Sequence, residues 1–336
     1  MKAIGYTEPG PITRPNALIA RDLPDPVATG RDLLVRVSAV SVNPVDTGIR
    51  RNAPPAGGFG VLGFDAVGIV QAVGPDATLF TRGDRVWYAG SIVRPGTNSE
   101  LHLVDERIAG PAPKSLSDAD AAALPLVAIT AWEMLFDRFD VARPVPAGNR
   151  TILIIGGAGG VGSIATQIAK QIAGMTVIAS ASRPETMDYA RRMGADHIVD
   201  HSTPMAPQIA ALGIGAPGFV FSTTPADRHF DDIVELVAPQ GRLGVIAGIG
   251  GSAAEKLTGK SVSLHFELMF TRSTLGTDDM IEQHRLLTEV ARLVDAGTLK
   301  TNRTQNFGRI TPENLIRAHA QVETGRTIGK IVLEGF

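Results

Sequence analysis

The residues with the clearest chemical meaning are a run of glycines near the middle of the chain. Gly157, Gly159 and Gly162 form the pattern G-x-G-x-x-G, which follows the apolar run 152–155 after one further glycine, Gly156. In dinucleotide-binding turns, the first glycine permits the tight bend, the second lets the backbone approach a pyrophosphate, and the third lets helix and strand pack closely. The helix that follows offers N–H groups and its positive dipole end to the phosphates. A glycine-rich turn without a ligand is the alternative. The predicted backbone contacts are at Gly157, Ala158, Gly159, Gly160 and Val161.

The residues that follow the glycines by about 20 positions indicate which dinucleotide fits. Sites for NAD usually carry Asp or Glu there, bonded to the ribose 2′-hydroxyl. The segment 178–183 has no acid and instead contains Ser180, Ser182 and Arg183. A guanidinium can pair with a phosphate through two hydrogen bonds, and each serine can donate one. The segment therefore predicts NADPH as the cofactor. The alternative is that Arg183 is a solvated residue at the start of a helix.

The elements that must position these residues alternate between strand and helix. Five short apolar runs predict strands, at 151–155, 176–179, 197–199, 218–222 and 244–247. Helical segments separate them, and the first of these is predicted at 163–173. Such alternation implies right-handed βαβ units and a doubly wound parallel sheet. Residues 1–125 are instead rich in β-type runs, Gly and Pro. We therefore expect an α/β fold in which a dinucleotide-binding domain, 126–269, is inserted into a β-rich substrate domain, 1–125 and 270–336.

The composition excludes several kinds of site and partner. The 336 residues include 32 Lys and Arg against 34 Asp and Glu, for a formal net charge of −2, and no cysteine. Disulfides and thiolate metal sites are therefore excluded. The absence of a basic stripe disfavours binding to nucleic acid or to anionic membranes. No targeting segment is visible, and we expect no apolar run near the roughly 18–20 residues that span a bilayer. The expectation is a cytoplasmic protein that acts on a small molecule.

Four further motifs occur along the chain in an order that is specific to one superfamily. They are Gly63-x-Asp65-x-x-Gly68-x-Val70, Gly83-Asp84-Arg85-Val86, Thr130-Ala131-Trp132-Glu133 and Gly329-Lys330-Ile331-Val332. With the glycine turn, they make the sequence resemble the medium-chain dehydrogenase/reductases over essentially its whole length. The resemblance is to the quinone oxidoreductase-like branch, whose members are often named zinc-type alcohol dehydrogenase-like. It implies an oxidoreductase with a Rossmann domain, a GroES-like catalytic domain and a homodimeric state, and it says much less about the substrate.

The chain departs from the zinc alcohol dehydrogenases of this superfamily at the metal-ligand positions. Those enzymes bind a catalytic zinc through Cys, a His-Glu pair and a second Cys or its equivalent. Here the three positions fall at 42–46, at Phe64-Asp65 and near Val127, and none of them is Cys or His. His197 and His201 are four residues apart, but on a strand this spacing separates them by ~13 Å, too far to share one ion. We therefore expect no metal.

The resemblance also implies roles for individual residues. Asn43 matches the asparagine that lines the nicotinamide and substrate pocket, and Thr130 matches a residue whose hydroxyl approaches the nicotinamide. These two are the candidate catalytic residues and also candidate cofactor contacts. Further expected cofactor contacts are Ser222 and Thr223 after the fourth strand, Ile246 and Ala247 at the end of the next strand, Phe266 after the sixth strand, His201 and Lys330.

Several of these residues also have a purely structural interpretation. One alternative is that Asn43 serves only as the cap of a turn before Pro44. His201 and Lys330 could equally lie at the surface. Asp65 is interpreted as a buried hydrogen-bond anchor rather than as a catalytic residue.

The expected reaction follows from the missing zinc ligands. Without a Lewis acid, reversible alcohol oxidation is disfavoured. We expect hydride transfer from NADPH to a quinone or an α,β-unsaturated carbonyl, because conjugation spreads the developing charge and a donor such as the Asn43 amide then suffices. Two alternatives remain open: a metal-free alcohol or aldehyde reductase on the same scaffold, and an NADPH-binding redox sensor without turnover. For the homodimer, residues 260–265 could form an edge strand that pairs across a two-fold axis.

Overall fold

The computed structural model describes residues 1–249 and 254–336, and the chain divides into two compact units. Unit 1 comprises residues 1–129 and 270–336, and unit 2 comprises residues 130–269. The first division point lies four residues after the boundary expected at 125/126, and the second lies at 269/270.

The N-terminal part of unit 1 consists mainly of β-strands. Its elements are β1 (Lys2–Tyr6), β2 (Ile19–Asp22), β3 (Asp32–Val42), α1 (Pro44–Asn52), β4 (Gly60–Val61), β5 (Asp65–Val73), β6 (Arg85–Tyr88), β7 (Leu101–Asp105), β8 (Ala109–Pro111) and α2 (Asp118–Ala122), followed by α3 (Pro125–Trp132), which contains the first division point. A small sheet has the order β2-β1-β4. Leu33, Val35 and Val37 of β3 are buried at every second position, as expected for a strand with one face in a core.

Unit 2 has the predicted doubly wound α/β architecture. Its elements are β9 (Asn149–Ile155), α4 (Gly160–Gln171), β10 (Thr176–Ser180), α5 (Pro184–Arg192), β11 (His197–Val199), α6 (Met205–Ala211), β12 (Pro217–Ser222), α7 (Phe230–Leu236), β13 (Arg242–Val245) and β14 (Ser263–Phe266). All six strands run parallel in the order β11-β10-β9-β12-β13-β14. This is the 3-2-1-4-5-6 order of dinucleotide-binding sheets. The sheet reverses its strand order beside β9, which leads into the glycine turn.

The predicted boundaries of the helix after the glycine turn and of the strand at 244–247 differ from those in the structure. Helix α4 begins at Gly160, earlier than the predicted start at residue 163, because the low helix propensity of glycine hides its first turn in the sequence. Strand β13 ends at Val245, so Ile246 and Ala247 lie after the strand rather than at its end. Both residues are apolar and continue the apolar run of the strand, so the sequence pattern extends beyond Val245, the last residue that pairs with a neighbouring strand.

The C-terminal part of the chain completes unit 1. It forms α8 (Thr271–Leu275), α9 (Ile281–Asp295), β15 (Arg303–Asn306), α10 (Pro312–Glu323) and β16 (Lys330–Glu334). A seven-stranded sheet has the order β15-β16-β3-β5-β6-β8, and β7 also pairs with β3. In the antiparallel ladder of β16 and β3, Ile331 lies opposite Val42. This register brings Lys330, the preceding residue, beside Asn43.

Among the residues that the structure describes, one helical stretch has the length and composition that could cross a membrane. It spans Asp118–Arg138, and 83% of its apolar window is buried inside the structure. The expectation that no apolar stretch reaches this length is therefore wrong. Its burial is typical of a core helix.

Candidate active site

The glycine turn after β9 has the tight backbone that its spacing predicts, but the structural role of each glycine differs from the prediction. The residue with positive φ is Gly156 (φ 82°), rather than Gly157. A Cβ on Gly157 would lie 2.6 Å from the Ala179 Cβ, and a Cβ on Gly162 would lie 2.2 Å from the Gly156 carbonyl oxygen. Gly156 thus makes the bend, Gly157 allows contact with β10, and Gly162 allows α4 to pack against the turn.

The turn opens directly into the N-terminus of α4. Gly159 occupies the N-cap position and has no side chain to bond the first N–H groups, and the helix then runs for 12 residues. A Cβ on Gly159 would meet only the Gly156 carbonyl oxygen, at 3.4 Å, so the outer face of the turn is open. Ala158 is buried, whereas Gly160 and Val161 are partly exposed. A helix N-terminus of this kind fits a pyrophosphate.

Ser180 and Thr223 hold the turn from both sides. Ser180 is fully buried; its hydroxyl accepts from the Gly156 N–H at 3.0 Å and contacts His201 Nδ1 at 2.9 Å. Thr223 donates its hydroxyl to the Ile155 carbonyl at 2.8 Å. The predicted cofactor residues Ser180, His201 and Thr223 therefore form one set of contacts around the turn. The Ser180 hydroxyl forms a hydrogen bond with the protein backbone, rather than the direct phosphate contact that the sequence suggested.

The candidate phosphate-binding arginine lies at the start of α5. Arg183 occupies the N-cap position before Pro184, and its guanidinium is 3.3 Å from the Glu185 carboxylate. Its side chain is 28% exposed, so a ligand can reach it from solvent. Ser182 is partly buried beside it.

The remaining candidates of unit 2 lie on separate segments. Ser222 is buried and donates its hydroxyl to the Thr224 carbonyl at 2.9 Å. Ile246 and Ala247 are partly buried after β13, and Thr130 is buried on α3. Phe266 is the last residue of β14, rather than part of the following loop, and it is 63% exposed.

A histidine that the sequence analysis did not select lies beside His201. The ring of His229, in the 3₁₀ turn Ala226–His229 after β12, is 5.6 Å from the His201 ring between centroids. Burial lowers the pKa of both rings, and for His229 the neighbouring His201 lowers the pKa further. No motif identifies His229, because its nearness to His201 depends on the strand order of the sheet.

In unit 1, Asn43 lies at the centre of a buried polar network. It occupies the N-cap position of α1 and is 1% exposed. Its backbone N–H donates to Asp46 Oδ2 at 2.8 Å, its side-chain Nδ2 donates to Asp65 Oδ2 at 2.7 Å, and its Oδ1 accepts from Lys330 Nζ. The interpretation of Asn43 as only a turn cap does not account for these two side-chain partners.

Asp65, the first residue of β5, is fully buried and accepts four hydrogen bonds. Oδ2 accepts from the Ser41 hydroxyl at 2.6 Å, from Asn43 Nδ2 and, at 3.2 Å, from Lys330 Nζ, while Oδ1 accepts from the Leu126 N–H at 2.7 Å. This confirms the interpretation of Asp65 as a buried hydrogen-bond anchor.

Lys330 and Asp46 complete this network. Lys330 is 4% exposed, so the interpretation of it as a surface residue is wrong. Burial lowers its pKa, while Asp65 acts in the opposite direction. Burial also raises the pKa of Asp46 to about 7, against the N–H groups of Asn43 and Gly63 that bond its carboxylate.

Comparison with known proteins agrees with this architecture. Residues 29–114 match the family described as alcohol dehydrogenase GroES-like domain, and residues 160–292 match the family described as zinc-binding dehydrogenase. A zinc-type alcohol dehydrogenase-like protein of Staphylococcus aureus is 40% identical over 339 residues, covering 99% of each chain. The chain belongs to the medium-chain dehydrogenase/reductase superfamily.

Two other relatives show how broad the names within this superfamily are. A quinone oxidoreductase of Pseudomonas aeruginosa is 31% identical over 326 residues, covering 95% of this chain and 96% of the relative. A solved Rhizobium etli structure, whose name refers to zinc-dependent alcohol dehydrogenases, is 57% identical, with a TM-score of 0.99 and coverage of 100% of this chain and 98% of that one. The fold and the oxidoreductase class are common to all of these names, but the substrate is not.

The residues present do not fit the zinc that some of these names imply. The family's ligand positions fall at 42–46, at Phe64-Asp65 and near Val127, and none of them carries Cys or His. The Asp46 carboxylate in the first segment accepts from the Asn43 and Gly63 N–H groups. The Phe64 ring packs edge-to-face on Phe270, at 5.3 Å between centroids. Asn43 and Asp65 are already bonded to a lysine, which is a cation without coordinating capacity while it is protonated. Within residues 1–249 and 254–336, no group of three or more His, Asp or Glu could hold a metal ion.

Proposed function

We propose that this protein is a zinc-free, NADPH-dependent oxidoreductase that reduces a quinone or an α,β-unsaturated carbonyl compound. The observation that carries the proposal is the network in which Lys330 bonds Asn43 and Asp65, two residues that lie in the segments where the zinc enzymes carry metal ligands. When bound, NADPH supplies a hydride. The chain itself must bind the cofactor, orient the acceptor and stabilise the negative charge that develops on its oxygen.

The donor set supports a conjugated acceptor. Asn43 Nδ2 has two N–H groups and donates one to Asp65, so the other can bond an acceptor carbonyl. A single neutral donor stabilises an oxyanion less than a metal ion does. In a quinone or enone the conjugated system spreads the charge, so one such donor is sufficient. We propose that Thr130, whose hydroxyl is buried on α3, also contacts the nicotinamide.

The segment after β10 supports the choice of NADPH. It has no acid to bond a 2′-hydroxyl, and Arg183 with Ser182 offers a partly exposed cation and a hydroxyl for a 2′-phosphate. A mycobacterial structure that is 25% identical, with a TM-score of 0.83, is described as complexed with NADPH. The backbone of residues 157–161 would hold the pyrophosphate, with Ser180 and Thr223 supporting the turn. Further proposed contacts come from His201, Ser222, Ile246, Ala247 and Phe266.

We also propose a homodimer formed through β14. This strand is an edge of the six-stranded sheet and pairs with β13. It ends at Phe266, which is 63% exposed, and Leu268 two residues later is 55% exposed. An edge strand with exposed apolar side chains needs cover, and a second copy of β14 across a two-fold axis would supply it.

The direct test is NADPH oxidation with a panel of acceptors, on protein whose zinc content has been measured. We expect a quinone and an enone to be reduced, and a saturated aldehyde to be reduced far more slowly, with no change after EDTA treatment. Reduction of the saturated aldehyde alone would favour the metal-free aldehyde reductase. Binding of NADPH without turnover of any acceptor would favour a redox sensor. One tightly bound zinc per chain would contradict the proposal.

A further inference from the structure

A lysine that lies 287 residues from Asn43 in sequence is buried against its amide. Lys330 Nζ contacts three oxygen atoms: Asn43 Oδ1, Asp65 Oδ2 at 3.2 Å and the Val42 carbonyl at 3.2 Å. An ammonium group has three N–H donors and no acceptor. Three acceptors therefore match the protonated lysine, since a neutral amine would direct its lone pair at an oxygen. All three N–H groups are used, and none remains for a cofactor or a substrate.

The same contacts fix the orientation of the Asn43 amide. Lys330 only donates, so the atom facing it must be Oδ1. Asp65 is bonded by four donors and, as a carboxylate, only accepts, so the atom facing it must be Nδ2. If the amide flipped, Nδ2 would face the Lys330 ammonium, which is also a donor, and Oδ1 would face the Asp65 carboxylate, which is also an acceptor. The remaining Nδ2 N–H is thereby held in one direction, and Oδ1 is withdrawn from any substrate.

The ammonium also changes the strength of that remaining donor. A cation bonded to an amide oxygen draws electron density from the amide nitrogen, so hydrogen bonds in such a chain strengthen one another. The effect is stronger here than at the protein surface because Asn43, Asp65 and Lys330 are all buried, where electrostatic interactions are screened less than in water.

We propose that Lys330 is a positioning residue for the reduction of conjugated carbonyl compounds: its ammonium fixes and polarises the Asn43 amide so that this amide donates to the acceptor's oxygen. This inference rests on the proposed function, since it needs Asn43 to contact the acceptor. It also defines the substrate class, because a carbonyl oxygen accepts from Nδ2, whereas the proton of an alcohol finds no acceptor on this amide. Lys330 acts through Asn43 and touches neither substrate nor cofactor.

The test compares Lys330→Met with the double variant Lys330→Met/Asp65→Asn and with Lys114→Met. Methionine keeps the length of the side chain and removes the charge. Because the single variant leaves the Asp65 carboxylate buried without its cation, it can unfold, and the double variant restores neutrality. Lys114 is an exposed lysine of the same unit and serves as the matched control. Thermal unfolding identifies which variants are folded.

The first measurement is the side-chain NH₂ resonance of Asn43 in ¹⁵N NMR spectra without substrate. We expect the amide of the wild-type protein to be shifted downfield and slow to exchange with solvent, and we expect both properties to be lost in the folded variant without Lys330. An unchanged Asn43 resonance would overturn the proposal, whether or not the protein is an enzyme. This measurement does not depend on turnover.

The second measurement is kcat for acceptors of different reduction potential, with the NADPH Kd measured in parallel. Loss of polarisation weakens one oxyanion donor without removing it, so kcat should fall by about 10-fold or more for an enone and by less for a strongly oxidising quinone. The NADPH Kd should stay within about twofold, since Lys330 has no N–H left for the cofactor. An equal loss for all acceptors, or a weakened NADPH Kd, would overturn the positioning role. A wild-type protein that reduces no acceptor would overturn the proposed function, and the catalytic part of this inference with it.

Discussion

Replacing Arg183 by alanine should weaken NADPH binding and leave NADH binding nearly unchanged, because the two cofactors differ only in the 2′-phosphate. A charge-assisted hydrogen bond contributes about 1.5–3 kcal/mol. The Arg183 side chain is 28% exposed, and solvent screening therefore places the loss towards the lower end of that range. The NADPH Kd should rise by about 10- to 30-fold.

The ion pair of Arg183 allows a second and opposite perturbation. Glu185 lies 3.3 Å from the guanidinium and would compete with a phosphate for it. Glu185→Gln removes both this competition and the repulsion between two anions, so it should tighten NADPH binding by up to about fivefold, the range of a partly exposed pair. NADH affinity should not change. A phosphate site therefore predicts two variants with opposite effects on one cofactor.

Isothermal titration of both cofactors at two ionic strengths would measure these effects. Arg191→Ala is the matched control, since Arg191 lies on the same helix and pairs with Asp188 at 3.0 Å. The difference between NADPH and NADH should shrink as salt rises, because partly exposed charges are screened. Equal losses for the two cofactors in Arg183→Ala, or a loss of similar size in Arg191→Ala, would refute the assignment of a 2′-phosphate site.

Three further predictions concern other parts of the molecule. Asn43→Ala should lower kcat and kcat/KM together by ~10²-fold, with little change in NADPH Kd; full activity would mean that the amide only organises Asp65 and Lys330. Phe266→Glu should convert a dimer into a monomer in light scattering, and a wild-type monomer at micromolar concentration would contradict pairing through β14. His319 is fully buried, neither ring nitrogen has a hydrogen-bond partner among the described residues, and burial lowers its pKa to about 3. Because the folded ring resists protonation while the unfolded one accepts it, the contribution of His319 to the free energy of unfolding should fall by about 2 kcal/mol between about pH 7.5 and pH 5. Urea unfolding of His319→Leu should show a stability that depends less on pH, and an unchanged slope would contradict this explanation.

The fold of unit 2 could largely be predicted because the sequence features that indicate it are local. Strand, glycine turn and helix follow one another in sequence, and their order alone predicts a parallel sheet. The role of each glycine was harder to predict. Gly156, rather than Gly157, has the positive φ, whereas Gly157 is required because β10 approaches the turn at Ala179 and leaves no room for a Cβ there. Which glycine forms the bend and which one allows close packing depends on a neighbouring strand, and the spacing of the glycines in the sequence contains no information about that strand.

Ser180 shows a different limit of sequence reasoning. A serine near an arginine suggests a phosphate ligand, but Ser180 is the last residue of β10 and its side chain is fully buried. Its hydroxyl bonds the Gly156 N–H and contacts His201. A hydroxyl at the end of a strand can serve the backbone of the next turn or a ligand, and only the three-dimensional contacts distinguish these roles. Ser182 and Arg183, beyond the strand end, remain the candidates for direct contact.

Lys330 is the residue for which the sequence was least informative, and it bears most directly on the chemistry. Nothing in a terminal Gly-Lys-Ile-Val motif shows that the lysine meets Asn43, because the contact depends on the register of β16 against β3. A zinc ion at these positions would bind the substrate oxygen directly and stabilise a full alkoxide charge. An ammonium whose three N–H groups are occupied can act only through the amide that it holds. Under the proposed function, the charge on the substrate must then be small at any one atom, and we therefore expect conjugated carbonyl acceptors to be reduced faster than saturated ones.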